Sequence, residues 1–313
     1  MMRVYVVPDE AIRAAGFAPN RSLRFPAGSY EPVADPRAAD VILPGVDLFA
    51  LKSREEFLRV PCVREHEART AHFDCADNYA AYKSTAILVR GNLSRERLAD
   101  SPNSVAWPWP TEDFRAHGVQ AATPGAFSHD VGFHGWDYSD TCKAAIQSCQ
   151  RTFGERFDLA AYHDFAGYLW KDGKPLPEFT RRREGFVASL ARCRVQLCAE
   201  SIPGVLRYRV TETMSAGRVP VIVGTGAVLP WADEVPWREV VVFIEASDAG
   251  HAGERIAEFL ARTPDDVLAR MGERGREAWL RWLDVRHAEK GPALMHEAIE
   301  RKARALGLVG GGR

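Results

Sequence analysis

The chain has 313 residues, of which 46% are hydrophobic and 27% charged, and its formal net charge is −1. This balance is typical of a soluble globular protein large enough for two domains, and it excludes the basic excess of a nucleic-acid-binding protein. No apolar run approaches the roughly 20 residues that cross a bilayer, and the first residues, MMRVYVVPDE, do not form a signal peptide. We therefore expect a cytoplasmic protein without a transmembrane segment, either free or peripheral to a membrane.

The first third of the chain alternates short apolar runs with polar, helix-like stretches. The predicted strands are MRVYVVPD, ADVILPG, TAHFDCAD, STAILVRGN and SVAWPWP. Runs rich in Val and Ile without strict alternation are typical of strands buried on both faces. The segments between them predict crossover helices at Ser53–Arg59 and Ser94–Ala99. The pattern indicates an α/β domain with a largely parallel sheet.

The polar stretch 108–128, which contains Pro and Gly, predicts a linker, after which the α/β pattern begins again. Predicted strands are HDVGFHGW, RFDLAAYH, RVQLCAE, VPVIV and REVVVFIEAS. Predicted helices are Ser139–Phe153, Arg183–Arg192, Leu206–Ala216, Gly250–Arg262 and one that starts at Thr263, with Ser139 and Thr263 as N-caps.

The fold class predicted from these elements is α/β, with two Rossmann-like parallel-sheet domains that face each other across a cleft. We predict an N-terminal acceptor-side domain at 1–125 and a C-terminal ligand-binding domain at 126–285. Residues 286–313 are expected to form a C-terminal helix and tail that pack back on the N-terminal domain.

The stretch RYRVTETMSAGRVPVIVG predicts a helix that Gly217 ends, followed by a buried strand, so that a βαβ unit places the helix start at the carboxyl edge of the sheet. A helix N-terminus together with Arg207 and Arg209 suits phosphate. Glu212, about one turn further on, can accept two hydrogen bonds from a ribose diol. These groups fit a nucleoside diphosphate; the alternative is a surface ion pair between Arg209 and Glu212.

From residue 186 onward the sequence resembles the exostosin family of glycosyltransferases, family 47. The segments FVASLARCRVQLCAES, RVTETMSAGRVPVIV and VLPWADEVPWREVVVFIEASD carry the resemblance. The family pattern Arg-x-x-Glu-Ala-x-x-x-Gly-x-x-Pro-Val-Ile has its Arg, Glu, Gly and Pro at Arg209, Glu212, Gly217 and Pro220. Thr213 stands where the family has Ala.

The resemblance implies a GT-B enzyme that binds a nucleotide-sugar donor, a UDP-sugar, in its second domain and transfers a hexosyl or glycuronosyl unit with inversion. It implies that Arg209 binds the diphosphate and Glu212 the ribose, with Arg207 as a second phosphate contact. Two alternatives stay open: a fucosyltransferase-like GT-B enzyme that uses GDP-fucose, because VTETMSAGRVPVIVG is also similar to that family, and a catalytically silent binding scaffold.

An inverting transfer needs a base close to the acceptor hydroxyl. Five acidic or imidazole side chains follow or lie in predicted strands: His72, Asp74, Asp77, His134 and Asp137. Asp74 is our first choice for the base. His134 is the second candidate for a catalytic role, and it could instead line the donor phosphates.

Of the eight tryptophans, Trp109 and Trp136 are the predicted sugar-stacking residues. The sequence contains no DxD at a strand end, so we expect no metal site, no cofactor beyond the nucleotide-sugar co-substrate, and metal-independent activity. The expected acceptor is a glycan, a lipid-linked glycan or a small molecule.

Overall fold

The computed structural model describes residues 1–20, 25–46, 51, 53–74, 84–91, 93–163, 170–171, 174–224 and 226–309. Contacts divide the chain into two compact units. The N-terminal unit comprises Met1–Trp109, Val228–Trp231 and Val285–Arg313, and the C-terminal unit comprises Pro110–Ala227 and Ala232–Asp284. Each unit is described by itself below.

The N-terminal unit is built on parallel strands with short crossover helices. Its elements up to residue 109 are β1 (Arg3–Val6), α1 (Asp9–Ala14), β2 (Glu31–Pro32), β3 (Val41–Leu43), α2 (Arg54–Arg59), α3 (Val63–His66), β4 (Ala71–Asp74), β5 (Ile87–Arg90), α4 (Arg95–Asp100) and β6 (Val105–Ala106). Two parallel sheets have the orders β2-β1-β3 and β4-β5-β6, and a parallel bridge between Ile42 and Thr70 links β3 to the start of β4.

The C-terminal unit repeats the pattern with longer elements. They are β7 (His129–Trp136), α5 (Asp140–Phe153), β8 (Phe157–Tyr162), β9 (Trp170–Lys171), β10 (Lys174–Pro175), α6 (Pro177–Arg192), β11 (Cys193–Ala199), α7 (Tyr208–Ser215), β12 (Val219–Val223), α8 (Trp237–Val240), β13 (Val242–Ile244), α9 (Ala252–Arg262) and α10 (Asp265–Ala278). A π-helical turn, Trp279–Leu283, follows α10, and the last helix, α11 (Lys290–Ala305), belongs to the N-terminal unit.

The main sheet of the C-terminal unit has five parallel strands in the order β13-β12-β11-β7-β8. The chain runs outward from β7 to β8, crosses back through α6 to β11 beside β7, and then continues outward to β13. The direction of winding therefore reverses between β7 and β11. The predicted α/β class with parallel sheets is confirmed in both units.

The core of the C-terminal unit follows from strands that are apolar on both faces. All five residues of β12 are buried, and the packed cluster on one face joins Val131, Val195 and Val221 to α5 and α9. On the other face α6 packs closely because Gly132 has no side chain, and a Cβ there would overlap Ser189 and Gln196. The sheet is thus covered on both sides, as parallel sheets require.

Three predictions about local structure were wrong. Stretch 108–128 is not a linker: Phe114 and Val119 are buried against Phe186, and contacts divide the chain at 109/110 rather than at 125/126. Residues 238–241 of the predicted strand REVVVFIEAS are mostly helical, and only Val242–Ile244 form β13. Thr263 does not cap α10; Pro264 occupies the N-cap position without a side-chain bond.

The close approach of α10 to the end of α7 gives a prediction on stability. A Cβ on Gly272 would overlap the carbonyl oxygen of Gly217, whereas a Cβ on Gly250 meets nothing within 4 Å. Forced displacement of a packed helix typically costs about 1–3 kcal/mol. We expect Gly272→Ala to lower the free energy of unfolding in urea by about that amount, and Gly250→Ala to leave it nearly unchanged. Equal stability of the two variants would contradict this packing.

Candidate functional site

The candidate site lies at the carboxyl ends of β7 and β11, where the strand order reverses. In open α/β sheets this edge is the usual place for ligands. Trp136 ends β7 and Asp137 follows it, while Ala199 ends β11 and Glu200 follows it. The loop after Glu200 leads to Arg207, the N-cap residue of α7.

Arg207 is a buried cation at the start of α7. Its side chain is 8% exposed, its Nη2 donates a hydrogen bond to the carbonyl oxygen of Trp136, and its guanidinium lies 5.9 Å from the centre of the Phe133 ring. Among the residues that the structure describes, no carboxylate forms an ion pair with it. Burial therefore lowers its pKa. A buried charge that only a neutral carbonyl satisfies is costly unless an anion completes the site.

The start of α7 adds positive potential at the same place. The first N–H groups of a helix have no partner within the helix and carry a partial positive charge. Arg207 has the extended backbone of an N-cap, with φ −67° and ψ 140°, but its side chain does not cap the helix. An arginine has no acceptor for these N–H groups. The predicted helix Leu206–Ala216 contains Arg207, whereas in the structure Arg207 precedes α7 as its N-cap. A cation at a helix N-terminus suits anion binding.

The loop before Arg207 is tied by Glu200, which sequence analysis did not identify. The Glu200 carboxylate accepts a hydrogen bond of 3.0 Å from the Gly204 N–H, and burial raises its pKa. Gly224, at φ +101°, makes room for it, because a Cβ there would overlap the Glu200 side chain. The hydroxyl of Ser139, the N-cap of α5, donates a hydrogen bond of 2.5 Å to the Glu200 carbonyl oxygen. Contacts of Glu200 with Gly204, Gly224 and Ser139 therefore set the geometry of this loop.

Arg209 and Glu212 form an ion pair within α7. Arg209 Nη1 lies 2.5 Å from Glu212 Oε2, and Arg183 Nη1 lies 3.9 Å from the other oxygen. The Arg209 guanidinium stacks 3.9 Å from the centre of the Phe186 ring. Burial disfavours its charge, but Glu212 more than offsets this and the pKa of Arg209 is raised. Arg209 and Glu212 thus form the ion pair that was the alternative to a ligand site. The pair is buried and not on the surface, because Glu212 is only 5% exposed.

His134 lies inside the C-terminal unit under α6. Its Nε2 is 3.2 Å from Asp158 Oδ1, and both side chains are less than 9% exposed. Its Nδ1 would be 3.2 Å from a Cβ on Gly185 of α6. Arg192 also binds Asp158 at 2.9 Å, and together with His134 it holds the pKa of that carboxyl well below its usual range despite burial. His134 is thus enclosed beside Asp158, and its catalytic role stays a prediction.

The N-terminal unit contains the other predicted residues. His72 is buried, and burial lowers its pKa to about 3, so that it stays neutral beside Thr70. Asp74 ends β4, paired in register with Arg90 of β5, but its side chain lies outside the described residues, as does Asp77. Trp109 lies over Gly91, where a Cβ would be 3.5 Å from the indole. The site roles of these residues stay predictions.

The predicted stacking residue Trp136 lies at the candidate site. Its ring stacks on Tyr138, with centroids 4.5 Å apart and an interplanar angle of 28°, and Tyr138 is 61% exposed. Its Nε1 donates a hydrogen bond of 3.3 Å to the carbonyl oxygen of His163. The structure thus joins Trp136 to Arg207 on one side and to the end of β8 on the other.

The described residues contain neither a metal-ligand cluster nor a helix suited to a membrane. No group of three or more His, Cys, Asp or Glu side chains is placed to hold a metal ion. In the same part of the chain, none of the helices combines the length and the apolar character that a membrane span needs.

Comparison with known proteins gave short or distant matches, and no protein-family model matches the chain. A probable glucuronosyltransferase of rice (Oryza sativa subsp. japonica) is 36% identical over 62 residues, which are 20% of this chain and 14% of the rice protein. Another from rice is 25% identical over 195 residues, 60% of this chain and 41% of that protein. The chain thus spans less than half the length of these relatives. A glycosyltransferase structure from Rickettsia africae, 10% identical, superposes with a TM-score of 0.47 over 97% of this chain and 98% of that one.

The Arg209–Glu212 pair gives a prediction on stability. Removal of one partner of a buried ion pair leaves an uncompensated charge, which costs about 3 kcal/mol. We expect Glu212→Gln to lower the free energy of unfolding in urea by about that amount, and the double variant with Arg209→Met to recover most of it. Asp266→Asn, in the exposed Arg270–Asp266 pair, is the control and should cost at most about 0.5 kcal/mol. Equal losses in Glu212→Gln and Asp266→Asn would show that the first pair is effectively solvated.

Proposed function

We propose that the protein is a nucleotide-sugar-dependent glycosyltransferase of the GT-B type. The observation that carries the proposal is the buried charge of Arg207 at the tip of α7, on the edge of the sheet where strand order reverses, which no carboxylate of the described residues pairs with. A diphosphate is the ligand that such a tip suits best, because it accepts hydrogen bonds from both backbone N–H groups and a guanidinium.

In this proposal the donor diphosphate binds at Arg207 and the first turn of α7. During transfer the bond between the sugar and the diphosphate breaks, and negative charge develops on the departing oxygen. Fixed positive groups that face this oxygen stabilise the transition state more than the ground state. Arg207 is well suited to this role because, in the part of the chain that the structure describes, no carboxylate neutralises its charge.

The ribose and the donor base are assigned from the resemblance rather than from a bound ligand. Glu212 would accept hydrogen bonds from the ribose hydroxyls, with Arg209 as its partner in the ion pair. The exostosin resemblance, together with the names of the rice relatives, supports a UDP-sugar with a hexosyl or glycuronosyl unit. Inversion belongs to the same proposal, as does an acceptor bound by the N-terminal unit, with Asp74 or another group as its base.

A first prediction concerns donor binding. A charge-assisted hydrogen bond contributes about 1.5–3 kcal/mol, so we expect Arg207→Gln to weaken UDP-sugar binding by about 10- to 100-fold. A thermal-shift screen of UDP- and GDP-sugars would choose the donor, since a ligand of the folded state raises its melting point. Calorimetry would then give the dissociation constants, with exposed Arg238→Gln in α8 as the control.

The screen and the calorimetry distinguish the proposed function from its alternatives. Stabilisation by GDP-fucose instead of UDP-sugars would favour the fucosyltransferase-like alternative. Binding of a donor without any turnover would indicate the silent scaffold. An Arg207→Gln variant that binds the donor as tightly as the wild type would refute the assignment of the diphosphate to this helix tip.

A second prediction concerns metals. Because Arg207 and the start of α7 supply the positive charge at the leaving group, we expect turnover of the donor to continue in EDTA. The measurement is release of nucleoside diphosphate with and without the chelator. Loss of release in EDTA, with recovery on addition of Mn²⁺, would contradict the proposed source of that charge.

A further inference from the structure

A second pair of polar side chains stands at the same edge of the C-terminal sheet, and sequence analysis identified only one of them. His163 follows β8, and its Nδ1 lies 3.0 Å from Oδ1 of Asp137, which follows β7. The strands pair in register, Trp136 opposite Tyr162, so the two residues after them meet across the strand ends. The register explains a contact between residues 26 positions apart.

The two side chains differ sharply in exposure. The Asp137 side chain is 12% exposed, whereas that of His163 is 85% exposed. A carboxylate oxygen accepts hydrogen bonds, so Nδ1 of His163 is the donor in this contact and Nε2 is left for another partner. Asp137 thus orients an imidazole whose side chain is mostly exposed. An acid-oriented, accessible imidazole is the arrangement of a general base.

This pair is adjacent to the other features of the candidate site. Trp136 donates its indole N–H to the backbone carbonyl oxygen of His163 and stacks on exposed Tyr138, while its own carbonyl oxygen accepts from Arg207. A ring next to an exposed tyrosine offers a flat apolar surface for a sugar. The cation, the aromatic pair and the imidazole therefore lie along one continuous line of contacts.

We propose that His163 is the general base for the attacking hydroxyl, with Asp137 as its positioning residue. This inference rests on the proposed function. The acceptor oxygen forms a bond to the anomeric carbon, the bond from that carbon to the diphosphate breaks with its electron pair leaving on the diphosphate, and the hydroxyl proton passes to Nε2. The Asp137 carboxylate stabilises the imidazolium that forms. The proposed base, His163, belongs to the C-terminal unit, whereas Asp74 belongs to the N-terminal unit.

The test uses the full chain with UDP-glucose and UDP-glucuronic acid as donors. Release of UDP gives turnover, and calorimetry gives donor affinity. General-base catalysis contributes about 10²- to 10⁴-fold, so His163→Gly should lose at least about 100-fold in kcat with donor affinity unchanged. Because His163 is exposed, free imidazole should restore part of the turnover. His251→Ala, an exposed histidine before α9, is the matched control and should keep full turnover.

Asp137→Asn separates positioning from a structural role. If Asp137 acts through His163, the variant should lower kcat by about 10-fold or more, but cost nothing further in the His163→Gly background. Equal costs of Asp137→Asn in both backgrounds, with no recovery in imidazole, would make the pair structural and overturn the inference.

Two further results would decide against it. Wild-type turnover in His163→Gly, with loss in Asp74→Asn, would return the base to the N-terminal unit and leave the proposed function intact. Failure of the wild-type protein to bind either donor would overturn the proposed function and this inference with it.

Discussion

The hydrogen bond from Arg207 to the carbonyl oxygen of Trp136 is the contact on which the site depends. It holds a guanidinium inside the protein, next to a helix start that is itself positive, and no acidic side chain of the described residues neutralises it. Two positive groups of this kind repel each other and lose hydration on folding. An anion at the tip of α7 would remove both costs, which is the physical reason for proposing a diphosphate site there.

The strand order explains why these groups meet. Winding reverses between β7 and β11, and in open α/β sheets the carboxyl edge at such a reversal is the usual place for a ligand. Ser139 and Glu200 connect the two sides by a hydrogen bond, and Gly224 leaves space for the Glu200 side chain. The loop that carries Arg207 is consequently positioned by rigid strand ends, which is the support that a binding group needs.

Local signals made the βαβ unit predictable from the sequence, whereas contacts distant in sequence did not. The apolar run VPVIV, and Gly217 at φ +72°, gave strand and helix end almost to the residue. The stretch 108–128 has the composition of a linker, and only the packing of Phe114 shows otherwise. The pairing of Asp137 with His163 depends on the register of β7 against β8, which no local pattern encodes.

The charged motif of α7 divides into two parts with different chemistry. Arg209 and Glu212 lie three residues apart on one face of the helix and neutralise each other against Phe186, so their net contribution to an anion site is small. Arg207 precedes the helix, and among the described residues no carboxylate forms an ion pair with it. The family resemblance implies that Arg209 binds the diphosphate, but a diphosphate is attracted more strongly to a cation that has no carboxylate beside it. We therefore propose that the departing group senses the charge of Arg207, while burial raises the pKa of Glu212 and the adjacent Arg209 guanidinium opposes that rise.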